Sequence, residues 1–474
     1  MFQYLLKRVL IFIPTLLVIS LLAFGLSKLA PGDPVELSSR GGLGDAQRDL
    51  ANAERVYREK ARQLGLDRPA FYCGFVPLAY PDTLYRILKR GQRETLAKLT
   101  AQHGNWAEIS AYYHQINRLE HQLQALPAAH SASDALYALR SNLQQLYLAH
   151  ADAKIIGLLE NMAAALQRDS ALASHLQPGL EALQQRYGAV TAQATPWKLL
   201  VPSIKWYGLD NQYHGWIASF LRLDFGRSYY DSRPVAHKMK DALFWTLLLN
   251  GLAVLLAYAL AIPLGVFSAI WKGSFFDRAS TLALFVLYSL PNFWIATILV
   301  VFFTTPEYGM DWFPSLGLRS LPDGAPFWDR FWDVGTHLVL PVFCLTYGAL
   351  AFISRQMRGG LLNVIRQDYI RTAWAKGLSS RAVIWKHAFR NAIFPIITLF
   401  ANIFPAVFAG SVVIEVIFNI PGMGKLTIDA IFQRDWPVVY TVLMLSAILT
   451  MVGILVADVL YALTDPRVSY SNKR

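Results

Sequence analysis

The sequence predicts an all-α protein: a polytopic membrane helical bundle of six transmembrane helices, carrying an α-helical insert outside the membrane. Three observations carry that prediction. Only 16% of the residues are charged while 54% are hydrophobic, against about 25% charged in an ordinary soluble domain. The apolar residues gather in runs that can cover a hydrocarbon core of ~30 Å, which takes about 20 helical residues. Lys and Arg gather beside those runs, where they set topology. The net charge of +12 therefore makes no case for nucleic acid.

The first span is Val9 to Ala30, preceded by Lys7 and Arg8. It exceeds the roughly 7–15 residues of a signal-peptide core and no A-x-A site follows, so it reads as a retained helix. The second lies near Ala242 to Trp271, the third near Ala279 to Phe303 and the fourth at about Thr336 to Ile353. The fourth is the shortest and carries Pro341. The fifth runs from about Ala392 to Phe418 and the sixth from about Val438 to Leu463.

Orientation follows from the flanking charges. One side receives Lys7, Arg8, Lys272, Arg278 and the tail cations Arg467, Lys473 and Arg474. It also receives the stretch between spans four and five, where Arg355, Arg358, Arg366, Arg371, Lys376, Arg381, Lys386 and Arg390 face the acid Asp368. The segment between spans three and four is mixed, and its Trp312, Phe313, Trp328 and Trp332 read as an interfacial aromatic belt. The basic side is cytoplasmic by the positive-inside rule, which places both termini inside.

Within the basic stretch, "DYIRTAWAKGLSSRAVIWKHAFRNAIFP" (368 to 395) has helical composition up to Lys376. Asp368 suits the dipole at a helix start. Gly377 suits the residue after a helix end, where φ is often positive. Ser379 or Ser380 can cap a second helix. The result is a short cytoplasmic helix, a sharp turn and a longer helix joined to the bundle, an element able to transmit force from a soluble partner. By composition alone, an ordinary basic loop obeying the positive-inside rule accounts for it equally well.

The stretch resembles the EAA loop of permease subunits in bacterial ABC importers, in particular the dipeptide/oligopeptide/nickel branch. Further stretches resemble that branch in order: "LSKLAPGDPV" at the end of span one, "LDFGRSYYDSRPV" (223 to 235), "SLPNFWIATIL" (289 to 299), "HLVLPVFCL" (337 to 345), "EVIFNIPGMGKLTIDAIFQRDWPVV" (415 to 439) and "DVLYALTDPRV" (458 to 468). The likeness covers about residues 1 to 72 and 206 to 470. It implies an importer of di- or oligopeptides, with nickel, glutathione or oligosaccharides as other cargoes of the family. Asp368, Tyr369, Arg371, Thr372, Ala373, Ala375, Lys376 and Gly377 would form or end the helix that couples to an ATPase, its small Ala side chains allowing close packing there. Asn292, Phe293, Glu415, Pro421 and Asp429 are candidates for the translocation path or gate. The implied partners are a second, homologous permease forming a heterodimer, two cytoplasmic ATPase subunits and an extracytoplasmic solute-binding protein, in the bacterial inner membrane. ATP and magnesium would belong to the ATPase subunits, with no cofactor or catalysis in this chain.

The likeness organises the chain. Residues 1–35 are the N-terminus and first helix. Residues 36–235 are an extracytoplasmic segment, and 236–470 the permease core with its cytoplasmic coupling loop at 355–391. The family's segment before span two is here split into "LGLDRPAFY" (64 to 72) and "WYGLDNQYHGWIASFLRLDFG" (206 to 226), held apart by an insert at about 73–205. In the insert, Leu136, Leu139, Leu143 and Leu146, then Ile156, Leu159, Ala163 and Leu166, recur at helical spacing. Gly104, Pro127 and Pro178 punctuate it. Two readings stand: a tolerated elaboration of a surface connection, or a docking surface for the binding protein or lid over the outer gate.

Other signals lead nowhere chemical. "PGMGKLT" (421 to 427) resembles the end of a P-loop but has Asn419 for the first Gly and Leu426 for Ser or Thr, and reads as a turn near the outer gate. Six histidines lie in the insert: His103, His114, His121, His130, His150 and His175. His114 and His121 are two turns apart, wider than the usual zinc spacing on one helix, and no metal site is expected. Cys73 and Cys344 give no disulfide framework. Glu415 and Asp458 are costly in a membrane unless they face protein or water. Glu415 either lines the path, meeting a peptide's amino group, or is structural; Asp458 reads as a structural partner of a basic group. As ion-coupled charges the two would fit a secondary transporter, a rival of another class, and a scaffold that anchors the insert is a third.

Overall fold

A computed structural model describes residues 2–29, 33, 35, 50–126, 134–307, 309–314, 316–322 and 324–464. Pro127, His130, Arg467, Lys473 and Arg474 lie outside the described residues. The chain forms two compact units, Met1–Ala30 with Leu223–Arg474, and Pro31–Arg222.

The Pro31–Arg222 unit is closed by a small sheet. Strand β1 (Cys73–Pro77) pairs antiparallel with β2 (Pro202–Trp206), Cys73 opposite Trp206 and Pro77 opposite Pro202. The two family-like segments meet just beyond it: Tyr207 donates its N–H to Tyr72, Gln212 to Pro69 and Tyr213 to Ala70. Between the strands lie helices α3 (Arg90–His103), α4 (Trp106–Gln124), α5 (Asp134–Leu146), α6 (Asp152–Gln167) and α7 (Ser170–Ala192), with α2 (Leu50–Gln63) before β1 and α8 (Gln212–Leu221) after β2. The five helices between the strands share one core that includes Leu99, Ile109, Ile116, Leu143, Met162 and Leu183. Leu136, Leu139, Leu143 and Leu146 of α5 all enter it. On α6 the predicted stripe is shifted: Ile155, Leu159, Met162 and Leu166 are buried, Ile156 is exposed and Ala163 only partly covered.

Gly104 ends α3 with φ 71°, and a Cβ there would sit 2.3 Å from the Thr195 carbonyl. Thr195 donates its N–H to His103 O at 2.7 Å, pinning the end of α3 to the segment after α7. Pro178 does not break the chain as expected. It lies inside α7, where Leu172, Leu176, Leu180 and Leu183 are buried on either side. That burial outweighs a cost of about 3 kcal/mol for an interior proline.

The other unit holds α1 (Phe2–Leu29), α9 (Val235–Ile270), α10 (Phe275–Ser289), α11 (Asn292–Thr304), α12 (Phe327–Ile365), α13 (Asp368–Ala375), α14 (Phe394–Ala409), α15 (Val412–Ile417), α16 (Met423–Gln433) and α17 (Trp436–Thr464). Its backbone is the pair α9 and α12. Along α9 the residues Ala253, Ala257, Ala261, Gly265 and Ala269 recur every fourth position and are all buried. Small residues at that spacing let two helix backbones approach closely. At Gly265 the approach is tight: a Cβ would lie 2.6 Å from Ser354 O and 2.7 Å from Met357 Cβ.

By length and composition, four described helices can cross a membrane: α1, α9, α12 and α17. The bent pair α10 and α11 makes a fifth if counted as one span. The fifth span of the sequence reading is 16-residue α14. Three spans take shapes that the sequence reading did not give them. The fourth span, expected shortest, is the 39-residue α12, with Pro341 in its interior and Trp328 and Trp332 in its first turns. The third span is not straight. It bends by 94° between α10 and α11, where Leu290 is extended ahead of Pro291, as a residue preceding proline prefers. The fifth span does not run on to Phe418. α14 stops at Gly410, whose φ is 80°, and the chain restarts as α15.

The α9–α12 contact generates a direct test. Gly265→Ala should cost about 1–3 kcal/mol through overpacking, read as a lower midpoint of thermal unfolding of the full chain in detergent, whereas Gly251→Ala, with open space at its Cβ, should change little.

Candidate functional site

The basic element folds as one amphipathic turn-helix-turn. In α13, Ile370 and Ala373 are buried while the other side chains point outward. Ile370 is fully buried, in a core with Met357, Leu361, Val364, Val383 and Ala392. Asp368, Tyr369, Arg371, Thr372, Ala375 and Lys376 therefore line one exposed face. Ala373 does not share it: it packs into the chain's own core rather than toward a partner. Lys376 donates its N–H to Thr372 O, Gly377 to Trp374 O, and Gly377 turns the chain with φ 76°. Of the two serines, Ser379 is the cap, accepting from the Ala382 N–H at 3.4 Å. The chain returns through a π-helical turn, Val383–Ala388. Asn391 then donates to the Tyr369 hydroxyl at 2.7 Å, tying α13 to the returning limb. Only Arg366 and Gln367 separate α13 from the long α12.

A second node forms at Glu415, which has no exposed surface. Its Oε1 accepts from Thr246 Oγ1 at 3.0 Å and from the Ser411 N–H at 3.1 Å. Its Oε2 accepts from the Lys425 N–H at 3.0 Å. Thr246 Oγ1 accepts in turn from the Met423 N–H at 2.7 Å. One carboxylate thus joins α9, the start of α15 and the start of α16. Three glycines make room for it. A Cβ on Gly410 would lie 3.0 Å from Oε1, one on Gly422 2.5 Å from the carboxyl carbon, and one on Gly424 2.9 Å from Oε2. The P-loop-like stretch is a helix N-terminus whose anion is the chain's own Glu415, consistent with the charge such a terminus favours.

The remaining gate candidates divide. Pro421 is exposed beside this node and Asp429 pairs with Lys425 at 2.6 Å. Asn292 and Phe293 open α11 at the 94° bend, with Phe293 exposed. The bend is held by Tyr347, which donates to Leu290 O at 3.0 Å. Asp458 pairs with Arg8 at 3.3 Å, joining α17 to α1. Cys73 and Cys344 are free thiols.

Two further clamps were not anticipated. Asp277 takes Arg358 in a two-pronged contact at 2.7 and 2.9 Å, fixing the start of α10 against α12. Asp435, nearly fully buried, accepts from Ser228 Oγ and, at 2.9 Å, from the Tyr229 N–H. Burial pushes its carboxyl above the usual carboxylate range, against the pull of Ser228, Tyr229 and Lys238. The signal for this clamp lay in the family-like stretches 223 to 235 and 415 to 439, which contain both partners. Nothing in the residue spacing pairs them.

α13 and the Glu415 node contact α9 at points far apart along it. Thr246 marks one and Ala269, in the core with Ile370, marks the other. At 1.5 Å per residue that is roughly 35 Å along α9, comparable to the ~30 Å hydrocarbon thickness.

Residues 261–470 match the family described as binding-protein-dependent transport system inner membrane component. The chain is 40% identical over 272 residues to the oligopeptide transport system permease protein AppB of Bacillus subtilis (strain 168), covering 56% of this chain and 84% of that protein. It is 34% identical over 273 residues to the inner membrane ABC transporter permease protein YejB of Escherichia coli O157:H7, covering 56% of this chain and 75% of that protein. It is also 34% identical over 273 residues to the dipeptide transport system permease protein DppB of Bacillus subtilis (strain 168), covering 56% and 83%.

The geometry assigns Glu415 to structure. Glu415→Gln turns an amide N–H₂ toward backbone donors and should lower stability by about 1.5–3 kcal/mol, seen as a drop in thermal midpoint and yield. An unchanged midpoint with selectively impaired transport would put the carboxylate on the path instead.

Proposed function

The chain belongs to the binding-protein-dependent transport inner membrane component family, whose members are permease subunits of the inner membrane, and on that premise we propose that it forms half of the channel of an ATP-driven importer of di- and oligopeptides. The observation that carries the coupling part is α13: an exposed polar face, two buried anchors and a two-residue link to α12. A push on that face passes into α12, which at 39 residues is roughly 58 Å long. The peptide cargo is supported by the names of the relatives, which are oligopeptide and dipeptide permeases.

In this reading Asp368, Tyr369, Arg371, Thr372, Ala375 and Lys376 meet a groove of a cytoplasmic ATPase, and Gly377 sets the angle of the helix. Two such ATPases hold the ATP and magnesium. Their closure moves α13 and biases the bundle between inward-facing and outward-facing states. A second, homologous permease completes the path, and an extracytoplasmic binding protein delivers the peptide. Both termini are cytoplasmic and the 73–205 insert is extracytoplasmic. The roughly 35 Å between α13 and the Glu415 node supports opposite sides of the bilayer for them. Asn292, Phe293, Pro421 and Asp429 stay with the path or gate. Glu415 and Asp458 are both engaged by protein partners, which weighs against an ion-coupled transporter that needs them free to exchange an ion.

Cells lacking the chain should lose uptake of labelled di- and tripeptides and keep nickel uptake. Loss of nickel uptake alone would reassign the cargo. Gly377→Pro should reduce uptake to the level of cells lacking the chain, since proline holds φ near −65° and cannot make the turn at 76°. The variant should still reach the membrane in normal amount. Undiminished uptake by this variant would sink the coupling role of α13.

A further inference from the structure

A cavity of about 330 Å³ opens in the Pro31–Arg222 unit, where the turn between α3 and α4 meets the chain after β1 and the chain after α7. Small-molecule sites begin at about 300 Å³. Its walls carry charge of both signs, Lys198 and Glu108, with Tyr80, Pro81 and Trp106 beside them. Lys198 makes no ion pair with a described residue; its ammonium lies over the Trp197 ring, 5.8 Å from the centroid. α4 begins in this wall, and its start is not capped. Asn105 holds the N-cap position, yet its side chain accepts from no N–H of the first turn. An Asn in that position ordinarily accepts from the second or third N–H of the helix. Here its amide is engaged elsewhere: Nδ2 donates to Val190 O at 2.9 Å and to Gln193 O at 3.0 Å, holding the start of α4 to the end of α7. The N–H groups of Trp106, Ala107 and Glu108 therefore meet no acceptor among the described residues. Asn105 Oδ1 in turn meets no donor, although the residue is only 6% exposed.

We propose that this cavity binds a zwitterion with a free α-ammonium and a free carboxylate, an amino acid or a short peptide. A helix N-terminus with open N–H groups takes a carboxylate, and Lys198 adds a full positive charge to the same cavity. A carboxylate alone would leave Asn105 Oδ1 facing a second acceptor. An ammonium supplies the donor it lacks, and the Glu108 carboxylate favours the same end of the ligand. A buried acceptor without a donor is costly, so a ligand that brings one gains more than the same contact would give in water. A simple anion answers only the helix terminus and Lys198. Tyr80 and Trp106 offer ring surface to the ligand's side chains. The inference stands on the cavity alone and borrows nothing from the cargo reading, so either can fail without the other.

The test is titration calorimetry on the full chain in detergent, without ATPase subunits. The ligands are phenylalanine, alanyl-phenylalanine, and the N-acetyl and C-amide forms of that dipeptide. A free ligand should bind, and whichever of the two binds more tightly gives the length the cavity takes. Each blocked form should bind at least about tenfold more weakly than the free dipeptide. Two variants assign the ends of the ligand to this cavity rather than to the membrane unit. Lys198→Gln should weaken the free ligand about fivefold and make amidation matter less, and Glu108→Gln should weaken it about fivefold and make acetylation matter less. Neither variant touches the bonds that Asn105 makes to α7, so both should fold. Lys198→Arg should bind as the native chain does. Equal binding of free and blocked forms overturns the proposal. So does binding of the free ligand that neither variant changes, and so does the absence of binding by both free ligands. Acetate that binds as tightly as the dipeptide would reduce the site to a helix terminus open to any anion, and would also overturn it.

Discussion

A carboxylate without access to solvent sets the terms for the rest of the membrane unit. An unpaired charge at Glu415 would be ruinous in a low-dielectric interior, so its donors are obligatory. They come from α9 and from the first turns of α15 and α16. Meeting that demand explains several otherwise separate features. α14 must stop at Gly410 so that the chain can turn back on the carboxylate. Gly422 and Gly424 must lack side chains because Glu415 occupies their space. The P-loop-like string is what remains when a helix N-terminus is shaped around an internal anion.

The other end of the unit is organised by shape rather than charge. The small residues of α9 bring its backbone against α12, and the same two helices then supply the floor on which Ile370 and Ala373 of α13 rest. α13 is short, and an isolated helix of 8 residues would not hold in water. It persists because two buried side chains, the Asn391–Tyr369 bond and the Gly377 turn hold it. Apart from Tyr369, which takes part in that bond, the exposed face points outward from the unit's core. The Asp277–Arg358 pair extends this rigidity from α12 to α10.

Much of this was legible in the sequence where one local property decides the outcome. Apolar length marked α1, α9 and α17, Gly377 and the Ser379–Ser380 pair marked the turn and cap after α13, and the α5 leucines marked a core face. The misses share a cause: a partner distant in sequence decides them. Glu415 finds Thr246 at a separation of 169 residues, and Asp435 finds Ser228 at 207. Without those partners, an acid in an apolar run reads equally as path or as structure. Pro178 is the converse, a strong local signal overruled by burial on both sides. Pro291 is a signal that was visible and not used. The residue before it left the helix as local sterics require, and the span bends there.

The central claim is that peptide movement through this chain is driven from α13 by ATP. The most direct measurement places the chain in sealed vesicles with its partner permease, ATPase subunits and binding protein, and follows labelled dipeptide crossing from the binding-protein side. Transport that requires ATP hydrolysis, and is unchanged when proton and sodium gradients are collapsed, is the predicted result. Transport that continues without ATPase subunits and follows an ion gradient would contradict the account.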